Sequence, residues 1–200
     1  MKIFKILSLV TLVSFLPSCG DSSSKKQEVV VDESTGRVDV NKLNMENLLA
    51  EIKKREEAYK TNKTINNRNG FLLMEAYGAF SERFNNRENA DEYLFKAGEI
   101  AMGANLTVEA IRYLTTLYDE YPRYKNRAYG FFLLGFVQEN QANNLDEAKR
   151  IYKQFLVEFP GHEMADDARA SINNLGKSPD QIIREFERMD SLAKVNGKAA

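Results

Sequence analysis

The sequence predicts an all-α fold, a short solenoid of about eight helices. Three observations carry this. The segment Ala110-Ile-Arg-Tyr-Leu-Thr-Thr-Leu-Tyr-Asp-Glu-Tyr-Pro122 returns 38 residues later as Ala148-Lys-Arg-Ile-Tyr-Lys-Gln-Phe-Leu-Val-Glu-Phe-Pro160. In each copy an alanine is followed at +4 and +7 by a large apolar residue (Leu114 and Leu117, then Tyr152 and Phe155), and the stretch ends in Glu-aromatic-Pro. That is one helical stripe stopped by proline and used twice. Elsewhere, apolar residues recur at spacings of three and four between cap signals, with no sustained alternation of the strand type.

The amino terminus lies outside the fold. Lys2 and Lys5 precede or interrupt an apolar run that continues from Ile6 to Leu16, too short to span a bilayer and placed as in a secretion signal. It ends in Leu16-Pro17-Ser18-Cys19, which resembles the lipobox of bacterial lipoproteins, although Pro17 is an unusual choice before Ser18. The resemblance implies cleavage before Cys19 and lipidation of that cysteine. Cys19 is the only cysteine, so no disulfide forms within the chain. Each buried methylene of an acyl chain contributes about 0.8 kcal/mol, and more than one chain gives stable anchoring. The expected organisation is a signal peptide over 1–18, a lipidated cysteine and flexible tether over 19–42, and a helical domain over 43–200. Within the tether, Val29-Val30-Val31 either pairs as an extended segment or has no role.

Hydrophobic residues make up 43% of the chain and charged residues 28%, a balance that suits one soluble domain with its own core. The formal net charge of −1 provides no general attraction to nucleic acid or anionic lipid. Membrane contact is therefore expected through the lipid alone.

The first helix begins near Asn44, with Leu48, Leu49, Ile52, Glu56 and Tyr59 on one side, while Lys53, Lys54, Arg55, Glu56 and Glu57 make the other side charged and solvated. A second runs from about Gly70 to Phe84. Its Ala76 and Phe80 lie 34 residues before Ala110 and Leu114, so it is a degenerate earlier copy without the proline. Asn89-Ala-Asp-Glu92 has the form of a capping box opening a third helix through Met102. The fourth covers about 106–121 and the fifth about 127–140, whose run Tyr129 to Val137 is apolar all round and calls for cover on more than one side. Asn144 caps the sixth, which runs to Phe159. A seventh spans about 164–175 and is stopped by Gly176. Ser178-Pro179-Asp180-Gln181 supplies an N-cap, a first-turn proline, an acid and a capping-box glutamine for the last helix. That helix is expected to turn Ile182, Ile183, Phe186 and Met189 inward as the cap of the stack.

Two consecutive units carry a family resemblance. The first offers Leu94, Ala97, Gly98, Ala101, Ala110, Leu114, Leu117 and Pro122, and the second Phe131, Leu134, Gly135, Ala148, Tyr152, Phe155 and Pro160. This pattern resembles the tetratricopeptide repeat, a pair of antiparallel helices with small residues where the backbones pass closely. The usual tryptophan is missing, and the spacing is longer than the common one of about 34 residues. Such lengthened repeats look like those of BamD-type lipoproteins of outer-membrane assembly and of Tol-Pal-associated periplasmic proteins.

The resemblance implies a right-handed stack whose concave surface is lined by the first helix of each pair. At those positions stand Phe95, Glu99 and Met102, then Tyr129, Phe132, Phe136 and Glu139. If open, this groove suits a segment of a partner protein, with rings supplying burial and acids reading Lys or Arg. The other outcome is that neighbouring helices cover Phe132 and Phe136. Two functions follow: an envelope scaffold, lipid-anchored in the outer membrane and facing the periplasm, or a lipoprotein that captures cell-wall glycan or a small molecule.

No catalytic constellation is legible. His162 is the only histidine, which removes His-paired metal sites and His dyads. Glu56-Glu57 and Asp166-Asp167 are neighbours in sequence and so do not face one another on a helix. No Gly-rich phosphate loop or nucleophile elbow occurs. The expectation is a non-enzymatic protein without metal or cofactor.

Overall fold

The computed structural model describes residues 31–32, 37–61 and 68–196. The signal segment, Cys19, and Val29 and Val30 fall outside them. Two short strands, β1 (Val31–Asp32) and β2 (Arg37–Val38), pair antiparallel with Val31 opposite Val38. A single 3₁₀ turn follows at Val40–Lys42, capped by the Asp39 carboxylate. Eight helices complete the described chain: α1 (Met45–Thr61), α2 (Arg68–Arg83), α3 (Ala90–Gly103), α4 (Thr107–Glu120), α5 (Arg127–Asn140), α6 (Leu145–Glu158), α7 (Ala165–Asn174) and α8 (Pro179–Asn196).

From α1 to α7 each helix packs on the next in the chain, the nearest-neighbour arrangement of a solenoid. The paired helices approach closely because glycines sit at the crossings. A β-carbon on Gly98 of α3 would lie 2.8 Å from Leu114 Cδ2 of α4, and one on Gly135 of α5 would lie 2.7 Å from the Tyr152 ring of α6. Gly130 makes the same allowance between units, against Leu117 Cδ2 at 2.7 Å. The side chains that use this room, Leu114, Leu117, Ile151 and Tyr152, are all fully buried. The apolar run of α5 is covered by α4 on one side and α6 on the other, as its composition requires.

The turns between units repeat as closely as the helices. Tyr121 and Phe159 leave the helical region at the ends of α4 and α6, with φ −119°, ψ 64° and φ −130°, ψ 52°, as expected before a proline, which disfavours the helical conformation in the residue preceding it. The next residues then close two successive turns: Tyr124 N–H to Tyr121 O and Arg127 N–H to Tyr124 O, then His162 N–H to Phe159 O and Ala165 N–H to His162 O. The same pair of bonds occurs earlier at Arg87 to Phe84 and Ala90 to Arg87. Hence α2 is an earlier copy, but in a register that aligns Phe84 with Tyr121, so that Phe80 corresponds to Leu117. The spacing of 34 expected from Ala76 and Ala110 is three residues off. Three residues is nearly one helical turn, which leaves the buried face unchanged.

Within units the chain reverses through left-handed residues. Asn105 has φ 57° and Asn143 φ 51°, 38 positions apart, and asparagine tolerates this region better than other side-chain-bearing residues. At the first, Leu106 N–H bonds Ala101 O and Asn105 N–H bonds Met102 O, which satisfies carbonyls that the end of α3 leaves free.

Cap signals fared unevenly. Asn144 accepts from Glu147 N–H at 3.3 Å, and Ser178 and Gln181 bond reciprocally at 2.7 and 3.3 Å. The capping box expected at Asn89 does not form. Asn89 takes a left-handed backbone, φ 67°, to close the turn, and its side chain is thereby turned from the helix end. The packed chain also starts earlier than residue 43. Val40 and Leu43 are buried, and the Arg83 guanidinium donates to both their carbonyls. Arg55, expected on the solvated side of α1, is instead buried, because its guanidinium finds partners there: it donates to the carbonyls of Leu72 and Val38 and to Glu51.

The last helix does not close the stack. Ile182 is half-buried, but Ile183 is 54% exposed, Phe186 71% and Met189 57%. The reason lies in α7, ten residues long, which presents Asn173 and Asn174 across an open cleft of about 380 Å³ rather than an apolar face.

Filling a crossing should cost stability. Gly135→Val is expected to lower unfolding free energy by about 2–3 kcal/mol through overpacking, whereas Gly161→Ala, with no atom within 4 Å of its β-carbon position, is expected to leave it unchanged. Urea denaturation of both variants checks the contrast.

Candidate binding cleft

The candidate groove, open or covered, lies on α3 and α5, the first helices of the two clearest units, and its seven named positions separate on inspection. Phe95 is buried, its ring 5.9 Å from Tyr124 and 6.0 Å from Tyr129. Phe132 is buried against Tyr152 at 5.6 Å and Phe155 at 5.8 Å. Both are core residues and neither lines a groove. They are large apolar groups at positions that α5 and α6 cover. Glu139 accepts from the Tyr152 hydroxyl at 2.9 Å and is committed there. The Met102 carbonyl accepts from Gln141 Nε2 at 2.8 Å, tying the ends of α3 and α5. Tyr129 and Met102 are half-buried, Phe136 is 40% exposed, and Glu99 is exposed.

Glu99 faces a different concavity. An open cleft of about 600 Å³ lies between α1 and α3 over α2, lined by Glu56, Tyr59, Lys60, Leu73, Tyr77, Lys96, Glu99, Ile100 and Gly103. It is built from the sequence in a simple way. The apolar stripe of α1 ends in Glu56 and Tyr59, α2 supplies the floor with Leu73 and Tyr77, and Gly103 leaves the mouth open at the end of α3.

The floor is held rigid. The Tyr77 hydroxyl donates to Glu56 Oε1 at 2.7 Å, and its ring stacks on Tyr93 with centroids 5.0 Å apart and planes 19° from parallel. Lys96 Nζ sits 5.7 and 5.8 Å from the two ring centroids, within reach of the negative ring faces, and 3.6 Å from Glu92. Burial raises the Tyr77 phenol well above its ordinary value, and the bond to Glu56 adds to this. Burial alone would push Glu92 up, but the Tyr124 hydroxyl, Lys96 and Lys125 outweigh it and hold the carboxyl below the usual range. Lys60 pairs with Glu57 at 2.9 Å.

Glu99 stands apart. It makes no hydrogen bond among the described residues, and desolvation, with Glu92 nearby, raises its carboxyl above the ordinary value despite Lys96. A carboxylate that is partly stripped of water and lacks a partner favours an incoming cation.

His162 takes a structural place. Its Nδ1 accepts from Met164 N–H at 3.2 Å, and its ring meets Phe155 edge-on at 5.5 Å. Glu56 serves Tyr77, Glu57 Lys60 and Asp166 Arg169, so the adjacent acids divide between separate partners. No cluster of three or more His, Cys, Asp or Glu suited to a metal occurs among the described residues, and no helix among them is long and apolar enough to cross a membrane.

Comparison with known families agrees with this architecture. The model of the tetratricopeptide repeat matches residues 129–162, which is α5, α6 and the turn after them. The chain therefore contains a tetratricopeptide repeat, and the all-α repeat solenoid is its fold. No curated protein matches the chain.

Sequence reasoning missed Tyr59, Lys60 and Tyr77 as cleft residues because it placed the groove on α3 and α5, and on α3 it named Glu99 but not Lys96. The signal present was the aromatic ending of the α1 stripe, beside Glu56.

Because the folded-state pKa of Glu99 is raised, the folded protein binds more protons than the unfolded chain above the ordinary carboxylate range, and stability falls as pH rises through that window. Glu99 is substantially exposed, so the effect is screened. Glu99→Gln is expected to be more stable than the parent at pH 7 and equal to it below pH about 4, read from denaturation midpoints at both values.

Proposed function

We propose that the protein is a lipid-anchored interaction scaffold of a bacterial envelope, a binding protein rather than an enzyme. The observation that carries the reading is the open cleft between α1 and α3 in a repeat solenoid, with a stacked tyrosine floor and the unpartnered Glu99 at its wall. Tetratricopeptide repeats mediate protein–protein contacts, and the mixture of rigid aromatic surface and a carboxylate awaiting a cation suits a partner segment bearing Lys or Arg. Phe136 adds a single exposed ring on α5. The anchor is read from Leu16-Pro17-Ser18-Cys19, and the resemblance to BamD-type lipoproteins supports a partner among proteins of outer-membrane assembly.

A second reading, capture of a small or polymeric envelope molecule such as cell-wall glycan, draws on the volume of the cleft, which falls in the range of ligand sites. A stabilising shift in melting temperature on adding cell-wall fragments favours that reading, since a missing protein partner produces none.

Two outcomes are expected. Cys19→Ser should abolish palmitate labelling and move the protein out of the membrane fraction. Crosslinking of the lipidated protein in intact cells should recover an envelope protein, and recovery should fail when Glu99→Lys or Phe136→Glu is introduced in chains that keep their circular dichroism. Crosslinking that recovers no protein from cells rich in this one overturns the scaffold reading.

A further inference from the structure

Positive charge gathers at one concavity near the start of the fold. Between α1, the beginning of α2 and β2 lies a cavity of about 270 Å³ whose lining holds Arg37, Lys54, Arg55 and Arg68 but a single carboxylate, Glu51. The chain as a whole is close to neutral, at a formal −1. Two other clefts are balanced: Lys60 and Lys96 face Glu56 and Glu99 between α1 and α3, and Lys177 faces Glu185 between α7 and α8.

Three elements build this cavity. Glu51, Lys54, Arg55 and Ala58 recur at spacings of three and four along α1 and so share one face. Arg68 and Leu72 stand four residues apart on α2, and Arg37 belongs to β2. Arg55 forms the buried floor, where its hold on the carbonyls of Leu72 and Val38 fixes the three elements about the opening.

The acids within reach do not neutralise the set. Glu51 already accepts from Arg55 at 2.9 Å and from Lys54 at 3.4 Å. Glu75 feels Arg55 and Arg37, yet burial outweighs them and raises its carboxyl. Counted in full, two carboxylates stand against four cations. Arg37 and Arg68 are exposed at the rim and make no hydrogen bond or ion pair among the described residues. Guanidinium forks from two elements suit an oxyanion with several acceptor oxygens, phosphate above all. Val38, Ala58 and Leu72 add an apolar wall for a short carbon chain. The volume falls just below the range of drug-sized sites, which selects a small group.

The cavity also lies where the chain enters the fold. Val31 pairs with Val38 of the lining and stands twelve positions after Cys19, a reach of at most about 40 Å. On the reading that Cys19 carries the lipid, phospholipid headgroups are therefore within range.

We infer that this cavity binds a glycerol-borne phosphate, either the headgroup of an anionic phospholipid or the same group free in solution; only the lipid source rests on the anchor. Full-length protein is expected to melt at higher temperature in glycerol 3-phosphate than in sodium chloride of equal ionic strength. Arg37→Gln combined with Arg68→Gln should weaken binding about 25-fold, at about five-fold for each cation removed. Lys149→Gln with Lys153→Gln, the same charge change on α6, should leave it unchanged. In parallel, full-length Cys19→Ser protein is floated with vesicles of phosphatidylglycerol or of phosphatidylcholine. Flotation with phosphatidylglycerol alone, lost in the Arg37 and Arg68 pair, assigns the headgroup. A thermal shift without flotation assigns the free compound. Neither a shift nor flotation, equal flotation with both vesicles, or equal losses from the α6 pair and the Arg37 and Arg68 pair overturns the site. The thermal shift does not involve Cys19, and palmitate labelling of the parent reads the anchor, so failure of the site and failure of the anchor are told apart. Unchanged circular dichroism of the variants separates loss of binding from loss of fold.

Discussion

The close approach of helix backbones at Gly98, Gly130 and Gly135 is the constraint on which the rest of this structure depends. Each removes a β-carbon from a place occupied by Leu114, Leu117 or the Tyr152 ring. Those side chains can then be fully buried, and burial of large apolar groups at contact distance is what stabilises a stack of short helices. The helices α3 to α7, of 10 to 14 residues, are too short to be stable in water by propensity alone. Their ends are fixed by turns with repeated hydrogen bonds, and the spacing of the turns delivers the next glycine to the next crossing.

The same geometry makes the cleft. Where the first helices of neighbouring units diverge, between α1 and α3, a cleft opens with α2 as its floor. Tyr77 is both core and surface: its ring lies against Tyr93 and its hydroxyl holds Glu56. Rigidity of the floor and the missing partner of Glu99 therefore arise from one packing arrangement, in which α3 turns Lys96 towards the rings and Glu92 and leaves Glu99 to the opening.

Much of the fold was legible because its signals are local. Proline after an aromatic marks a helix end whatever packs on it, and the bounds of α5 follow from composition alone. Signals that needed a partner were less legible. Phe132 and Phe136 are equally apolar, and which of them is covered depends on the position of α6. Asn89 and Asn144 carry the same cap pattern, yet one spends its backbone on a left-handed turn. The apolar stripe of α8 implied burial, but α7 offered Asn173 and Asn174 instead of a receiving face. Copies of a repeat displaced by three residues show the same face, so Ala76 suggested a register that only the turn hydrogen bonds could correct.

Arg55 and Arg83 grip the carbonyls of Val38, Val40 and Leu43 and so give the molecule a defined load path. Tension along the segment that enters α1 is borne by two guanidinium groups seated in the first helix pair, before it reaches any interior crossing. A pull on that segment is thus taken up in the first pair, and the far end of the stack lies outside its path.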